Sequence, residues 1–153
     1  MNARAPLLLL SIFSLLGCNS VKTEHAPVPL VGTWQLLSAT TVENGKRTET
    51  DYTKGKRMIK IINDTHFAFL NHHLETPKDS SNHFDGGGGR YKLKGDEYTE
   101  FLDFYRDKNW EGKEFNFKVS IKNDTLIQTG VEKVEAAGVD RTITEKYIRI
   151  KVN

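Results

Sequence analysis

Only one cysteine, Cys18, occurs in this sequence, so no disulfide can form within the chain and the fold must rest on packing and backbone pairing. A dominant charge sign is missing too: 22 Lys and Arg stand against 20 Asp and Glu, and the two signs alternate rather than forming blocks. That pattern lacks the basic footprint of a nucleic-acid-binding surface. No apolar run outlasts Leu7 to Leu16, and about ten residues reach only half way across a bilayer that needs ~20. Sustained helical periodicity is absent, which argues against a helical bundle. Catalytic signatures are lacking as well. There is no G-x-S-x-G, no H-E-x-x-H and no cysteine nucleophile besides Cys18, and no Gly-Lys-Ser or Gly-Lys-Thr follows the Gly86 to Gly89 run. Enzymatic activity is unsupported, and no cofactor is implied.

What is present begins with the three parts of a secretory signal: Arg4, the apolar run from Leu7, and a small residue, Gly17, at a cleavage site. Leu15-Leu16-Gly17-Cys18 resembles the lipobox of bacterial lipoproteins. The resemblance implies that residues 1–17 are a cleaved signal and that Cys18 carries a diacylglyceryl thioether and an acylated amino group. A lone cysteine in an exported chain has no disulfide partner, and lipidation gives it a use. At about 0.8 kcal/mol per buried CH₂, the acyl chains tie the protein to a membrane without a further membrane element. Asn19 stands where Asp would favour inner-membrane retention, so the resemblance points to the outer membrane of a bacterial envelope. Residues 18–29 then read as the lipidated Cys and a polar tether with Pro27 and Pro29. Residues 30–153 remain as one domain of ordinary size.

Turn signals punctuate that domain: Asn44-Gly45, Asn63-Asp64, Gly95-Asp96, Asn123-Asp124 and Ala137-Gly138. Between them lie short runs rich in Val, Ile, Thr, Phe and Tyr, the pattern of hairpin-linked strands. The expected strands are 32–42, 56–62, 65–73, 88–94, 97–105, 113–122, 125–134 and 139–151, with 71–89 as one long loop. Two-residue links join only antiparallel neighbours, so the strands form a meander, and eight meandering strands close into a barrel without exposed edges. The fold class is all-β, an antiparallel meander barrel of eight strands, ten at most.

Alternation assigns faces. Phe115, Phe117, Val119 and Ile121 alternate with Glu114, Asn116, Lys118 and Ser120, so the first set points inward. Tyr91 and Leu93 oppose Arg90, Lys92 and Lys94. In 97–105 the apolar face carries Tyr98, Leu102 and Phe104, and Glu100 goes inward with them. Strands 56–62 and 125–134 do not alternate cleanly, and their faces stay open.

Gly32-Thr33-Trp34 resembles the G-x-W signature of the lipocalin and fatty-acid-binding superfamily. In that superfamily the Trp closes the narrow end of the barrel, and a basic residue late in the last strand packs across its ring. Arg149, which follows Glu145 and Tyr147 on one strand face, is at the matching place, so a contact within about 6 Å of the Trp34 ring is expected. The run from Val31 onward also resembles a group of lipocalin-like bacterial lipoproteins, through Gly-Thr-Trp-Gln-Leu, residues 52–60, 65–67 and 88–100, and the closing Glu-Lys-Tyr-Ile-Arg. That resemblance implies the barrel fold and brings no settled activity.

The residues expected to line a ligand site are Tyr91, Tyr98, Glu100, Phe104, Phe115, Phe117, Glu145 and Tyr147. Carboxylates on an apolar inner face must be paired, hydrated or used to grip a ligand. Glu100 and Glu145 therefore either pair internally with Arg149 or a Lys, or orient a ligand, and a raised pKa on one would suit acid–base chemistry. His72, His73 and His83, with Glu75, Asp79 and Asp85, match no metal motif and read as a solvated loop, so no metal is expected. Two functions follow: a membrane-anchored barrel that binds a small, largely apolar molecule, or a filled barrel that presents its outside to a protein partner of unspecified kind. Interior volume separates them: a few hundred Å³ of empty space favours the ligand.

Overall fold

The computed structural model describes residues 28–74 and 84–151. Cys18, the signal, most of the tether, and Glu75, Asp79 and His83 lie outside those residues. Among the described residues the strands are β1 (Gly32–Glu43), β2 (Lys46–Asp51), β3 (Lys56–Ile62), β4 (His66–His73), β5 (Phe84–Lys94), β6 (Glu97–Tyr105), β7 (Glu114–Lys122), β8 (Thr125–Val134) and β9 (Val139–Arg149), with a 3₁₀ turn at Glu135–Ala137. From β3 to β9 each strand pairs with its sequence neighbours, and β9 returns to pair antiparallel with β1 from Trp34↔Arg149 to Glu43↔Arg141. Eight strands, β1 and β3–β9, thus form the closed antiparallel barrel expected from the meander. The two-residue links have the backbone that hairpin twist demands: Asn44 and Gly45 sit at φ 49° and 74°, and Asn123 and Asp124 at 49° and 59°.

One strand was not expected. β2 pairs with Ser38–Glu43 of β1, yet its residues, Lys46-Arg-Thr-Glu-Thr-Asp51, include no apolar side chain to alternate. Its pairing rests on the backbone, and its charged side chains blunt the edge it exposes.

The barrel is tight at one end and splayed at the other. At the tight end β1 pairs with β3 over Gly32–Gln35, and β7 pairs with β8 from Lys122↔Thr125. Further along, β1 leaves β3 for β2, and the β7–β8 ladder stops at Phe117↔Gly130. The far end therefore parts into two leaves, β3–β7 and β8–β9–β1–β2. Trp34 plugs the tight end: it is fully buried, and its indole N–H donates to the Leu30 carbonyl at 2.8 Å. The Arg149 guanidinium lies 4.0 Å from the Trp34 ring centroid and donates to the carbonyls of Val31 and Pro29, each at 2.8 Å. Gly32 has φ 148°, and a Cβ there would collide with the Arg149 guanidinium, so both backbone and space require glycine beside the tryptophan.

The expected loop 71–89 is shorter than the sequence suggests. β4 and β5 stay paired from His66↔Arg90 to His72↔Phe84, which places Gly86–Gly89 inside a strand. A glycine run breaks strand propensity, but here close approach replaces it. A bulge in β6 sets two residues, Leu102 and Asp103, opposite Gly89, between the pairs Gly88↔Phe104 and Arg90↔Phe101. A Cβ on Gly89 would run into the Phe101 carbonyl and lie 2.6 Å from the Asp103 nitrogen. Gly89→Ala should therefore cost about 1–3 kcal/mol, the range for forced overpacking, in urea unfolding. A midpoint equal to that of the parent chain would show that the bulge yields freely.

Candidate functional site

Beyond the bulge the facing of β6 inverts. Phe104, expected inside, is 68 % exposed on the outer wall, and Tyr105 turns inward in its place. The extra residue shifts the two-residue period by one, which no alternation count can register.

The inward positions of the splayed half enclose a cavity of about 230 Å³. One wall is aromatic. Phe69 of β4 packs on Tyr105 of β6 at 6.0 Å between centroids, Tyr105 on Trp110 at 6.4 Å, and Trp110 on Phe115 of β7 at 5.7 Å. Gly87 makes room for this row, because a Cβ there would approach the Phe69 ring to 2.9 Å. The other wall, from β8 and β9, brings Gln128, Glu132, Arg141, Ile143 and Glu145. Glu132 and Arg141, cross-strand partners on β8 and β9, form an ion pair with Nε at 2.7 Å from Oε2.

At the floor stands Lys60, 3 % exposed, where Ile59 and Ile61 on either side point outward. Its ammonium donates to Glu100 at 2.7 Å and to the Gln128 side-chain oxygen at 3.1 Å, and lies 4.0 Å from Glu145. The rings of Phe67 and Tyr147 flank it at 5.7 and 5.4 Å. Burial alone would lower the Lys60 pKa, but Glu100 and Glu145 outweigh it and hold the ammonium above the usual lysine value. Burial pushes the Glu145 carboxyl up, against the pull of Lys60 and with the push of Glu100. Beneath the floor the Tyr98 and Tyr147 hydroxyls are buried without a hydrogen-bond partner, and burial together with the nearby carboxylates raises both pKa values far above the ordinary phenol.

Over residues 29–153 the chain matches a domain of unknown function, DUF4488. It belongs to that family. The barrel of this DUF4488 chain is similar to a lipocalin-like protein of Bacteroides uniformis, at 21 % identity and TM-score 0.50, over 79 % of this chain and 98 % of the other. An uncharacterized protein of Bacteroides eggerthii aligns at 17 % identity and TM-score 0.47, over 78 % and 98 %. No curated protein matches. At 21 % identity the likeness to the lipocalin-like protein is one of fold.

Of the residues expected to line a site, Glu100, Phe115, Phe117 and Glu145 do line the DUF4488 cavity. Tyr98 and Tyr147 are packed beneath it. Tyr91 is not in its wall: the ring stacks on Tyr98 at 5.3 Å and the hydroxyl donates to the Asn63 carbonyl near the tight end. Arg149 is not the partner of Glu145, because it is spent on Trp34 and two carbonyls, and its nearest carboxylate is Asp124 at 3.9 Å. Lys60 and Gln128 went unread. The signal for Lys60 was the broken alternation of Met58-Ile-Lys-Ile-Ile62: counting back from Ile62, which pairs with the buried Phe67, puts Lys60 inside.

Proposed function

We propose that this chain is a lipid-anchored envelope protein, tied to the outer membrane through Cys18, whose barrel binds a small molecule at its splayed end. The carrying observation is the cavity of about 230 Å³, with an aromatic wall above a polar floor. A ligand without any polar group does not suit this site, because Lys60, Glu100, Gln128 and Glu145 form its base. An apolar body with a polar head fits. The cavity favours this reading over the alternative, a filled barrel that presents its rim or outside to a protein partner.

Trp110 stands in the wall and serves as a built-in reporter. Native mass spectrometry of the purified chain, with Trp fluorescence titrations against a panel of small amphiphiles, should show one bound molecule per chain at micromolar concentration. No bound mass and no fluorescence change across the panel would overturn the binding role. For the anchor, the chain recovered from bacterial membranes should have lost residues 1–17 and gained acyl mass at Cys18, and Cys18→Ala should release it from the membrane fraction. An unacylated mature chain would overturn that part.

A further inference from the structure

The cavity holds more negative charge than its own cations can use. Four carboxylates line it, Asp85, Glu100, Glu132 and Glu145, against Lys60 and Arg141. Both cations are committed, Lys60 to Glu100 at 2.7 Å and Arg141 to Glu132. Asp85 accepts from the Tyr105 hydroxyl at 3.0 Å and pairs with Arg106 at 3.3 Å. Glu145 has no cation closer than Lys60 at 4.0 Å, with the Tyr147 hydroxyl beside it. In the same wall, the buried Oδ1 of Asn71 has no hydrogen-bond partner among the described residues. Within the lining itself, Glu145 and the Asn71 side-chain oxygen are thus acceptors open to a donor, and the opposing surface is a row of aromatic rings whose faces attract cations. Lys60 already shows the principle, since its alkylammonium sits between carboxylates and the Phe67 and Tyr147 rings.

We propose that the cavity takes a small organic cation, with its ammonium beside Glu145 and its carbon body against the Phe69–Tyr105–Trp110–Phe115 row. The proposal rests on the small-molecule reading above and gives that ligand its chemical class. An anion would meet surplus negative charge, and a neutral molecule would bring no counter-charge to the Glu145 carboxylate. The cavity is smaller than the about 300–1,000 Å³ of ordinary ligand sites, so the body is no larger than a single ring or a short alkyl chain.

The test uses three probes with one carbon body: 2-phenylethylamine, 2-phenylethanol and 3-phenylpropionate, titrated calorimetrically into the full chain at neutral pH. The amine should bind at least about tenfold tighter than either of the others, the worth of one hydrogen bond to a charged group. Glu145→Gln keeps the shape and should erase that preference. A second measurement needs no variant. Glu145 faces Lys60 from β3, Glu100 from β6, Gln128 and Glu132 from β8, Tyr147 on its own strand, and Tyr52. The amine stays protonated as the pH falls, so its affinity should weaken once Glu145 gains its proton, at a pH above the ordinary carboxylate range. Tighter binding of the alcohol or the carboxylate, or an amine affinity that ignores both pH and Glu145→Gln, overturns the cation assignment and leaves a small-molecule site standing. If none of the three binds while other members of the amphiphile panel do, the cation assignment again falls alone. If nothing binds at all, both readings fall.

Discussion

Lys60→Met should lower stability by about 3–5 kcal/mol, the cost of leaving buried charge without its partner. Against a total of about 5–15 kcal/mol for a domain, that is a large share. The hydrophobic replacement fills the volume, so the loss is electrostatic: Glu100 and Glu145 remain inside with no ammonium between them. The pH dependence identifies the cause. Burial already holds the Glu145 carboxyl above the ordinary carboxylate value, and Lys60 is the largest influence opposing the rise, so its folded pKa climbs further in the variant. A carboxyl with a folded pKa above the unfolded one gives its full stability below the unfolded value and loses it as the pH rises through the folded value. The gap between Lys60→Met and the parent chain should therefore be widest near neutrality and narrow as the pH falls into the ordinary carboxylate range. Adding Glu145→Gln to Lys60→Met should recover part of the loss. Urea unfolding across that pH range reads all three expectations. A Lys60→Met chain as stable as its parent at neutral pH would mean that the floor does not need its cation.

How much of this was legible in the sequence divides along physical lines. Features fixed by local chemistry could be read: the Asn44-Gly45 and Asn123-Asp124 turns need left-handed backbone, short links impose antiparallel neighbours, and the clean alternation of Phe115 to Ile121 can only be one buried face. Features fixed by distant contacts could not. The β6 bulge exists because Gly89 lets the Phe101 carbonyl come close across the ladder, and it turns Phe104 outward. The Gly86–Gly89 run looks like a loop until Phe69 and Tyr105 are placed over it. β2 has no apolar face and is held as an edge by β1 alone.

The candidate site was half visible for a related reason. Glu100 and Glu145 could be placed inside because their neighbours two residues away are apolar or aromatic. Lys60 is flanked on both sides by isoleucines, so alternation leaves the faces of 56–62 open. The structure decides between them: Ile61 is 42 % exposed and Lys60 is buried. Hydrophobicity alone does not decide which face of β3 is inside. Two carboxylates on β6 and β9 supply the partner that makes a buried lysine tolerable.

The other large effect is expected at the opposite end of the barrel. Trp34→Ala should cost about 3–5 kcal/mol, since it removes a fully buried indole and leaves a cavity that a closed ring of strands cannot collapse around. The Leu30 carbonyl loses its donor as well. Arg149→Ala removes the cation over the ring and two hydrogen bonds to the carbonyls of Val31 and Pro29, and should cost about 1–3 kcal/mol. Arg106→Ala loses only an exposed pairing with Asp85 and should stay within about 1 kcal/mol of the parent. Because the indole and the guanidinium act on each other, the double variant should lose less than the sum of the two single losses. Strict additivity in urea unfolding would show that Arg149 holds the approach strand through its carbonyl contacts alone. An Arg149→Ala loss no larger than that of Arg106→Ala would show that the first and last strands stay joined without their shared plug.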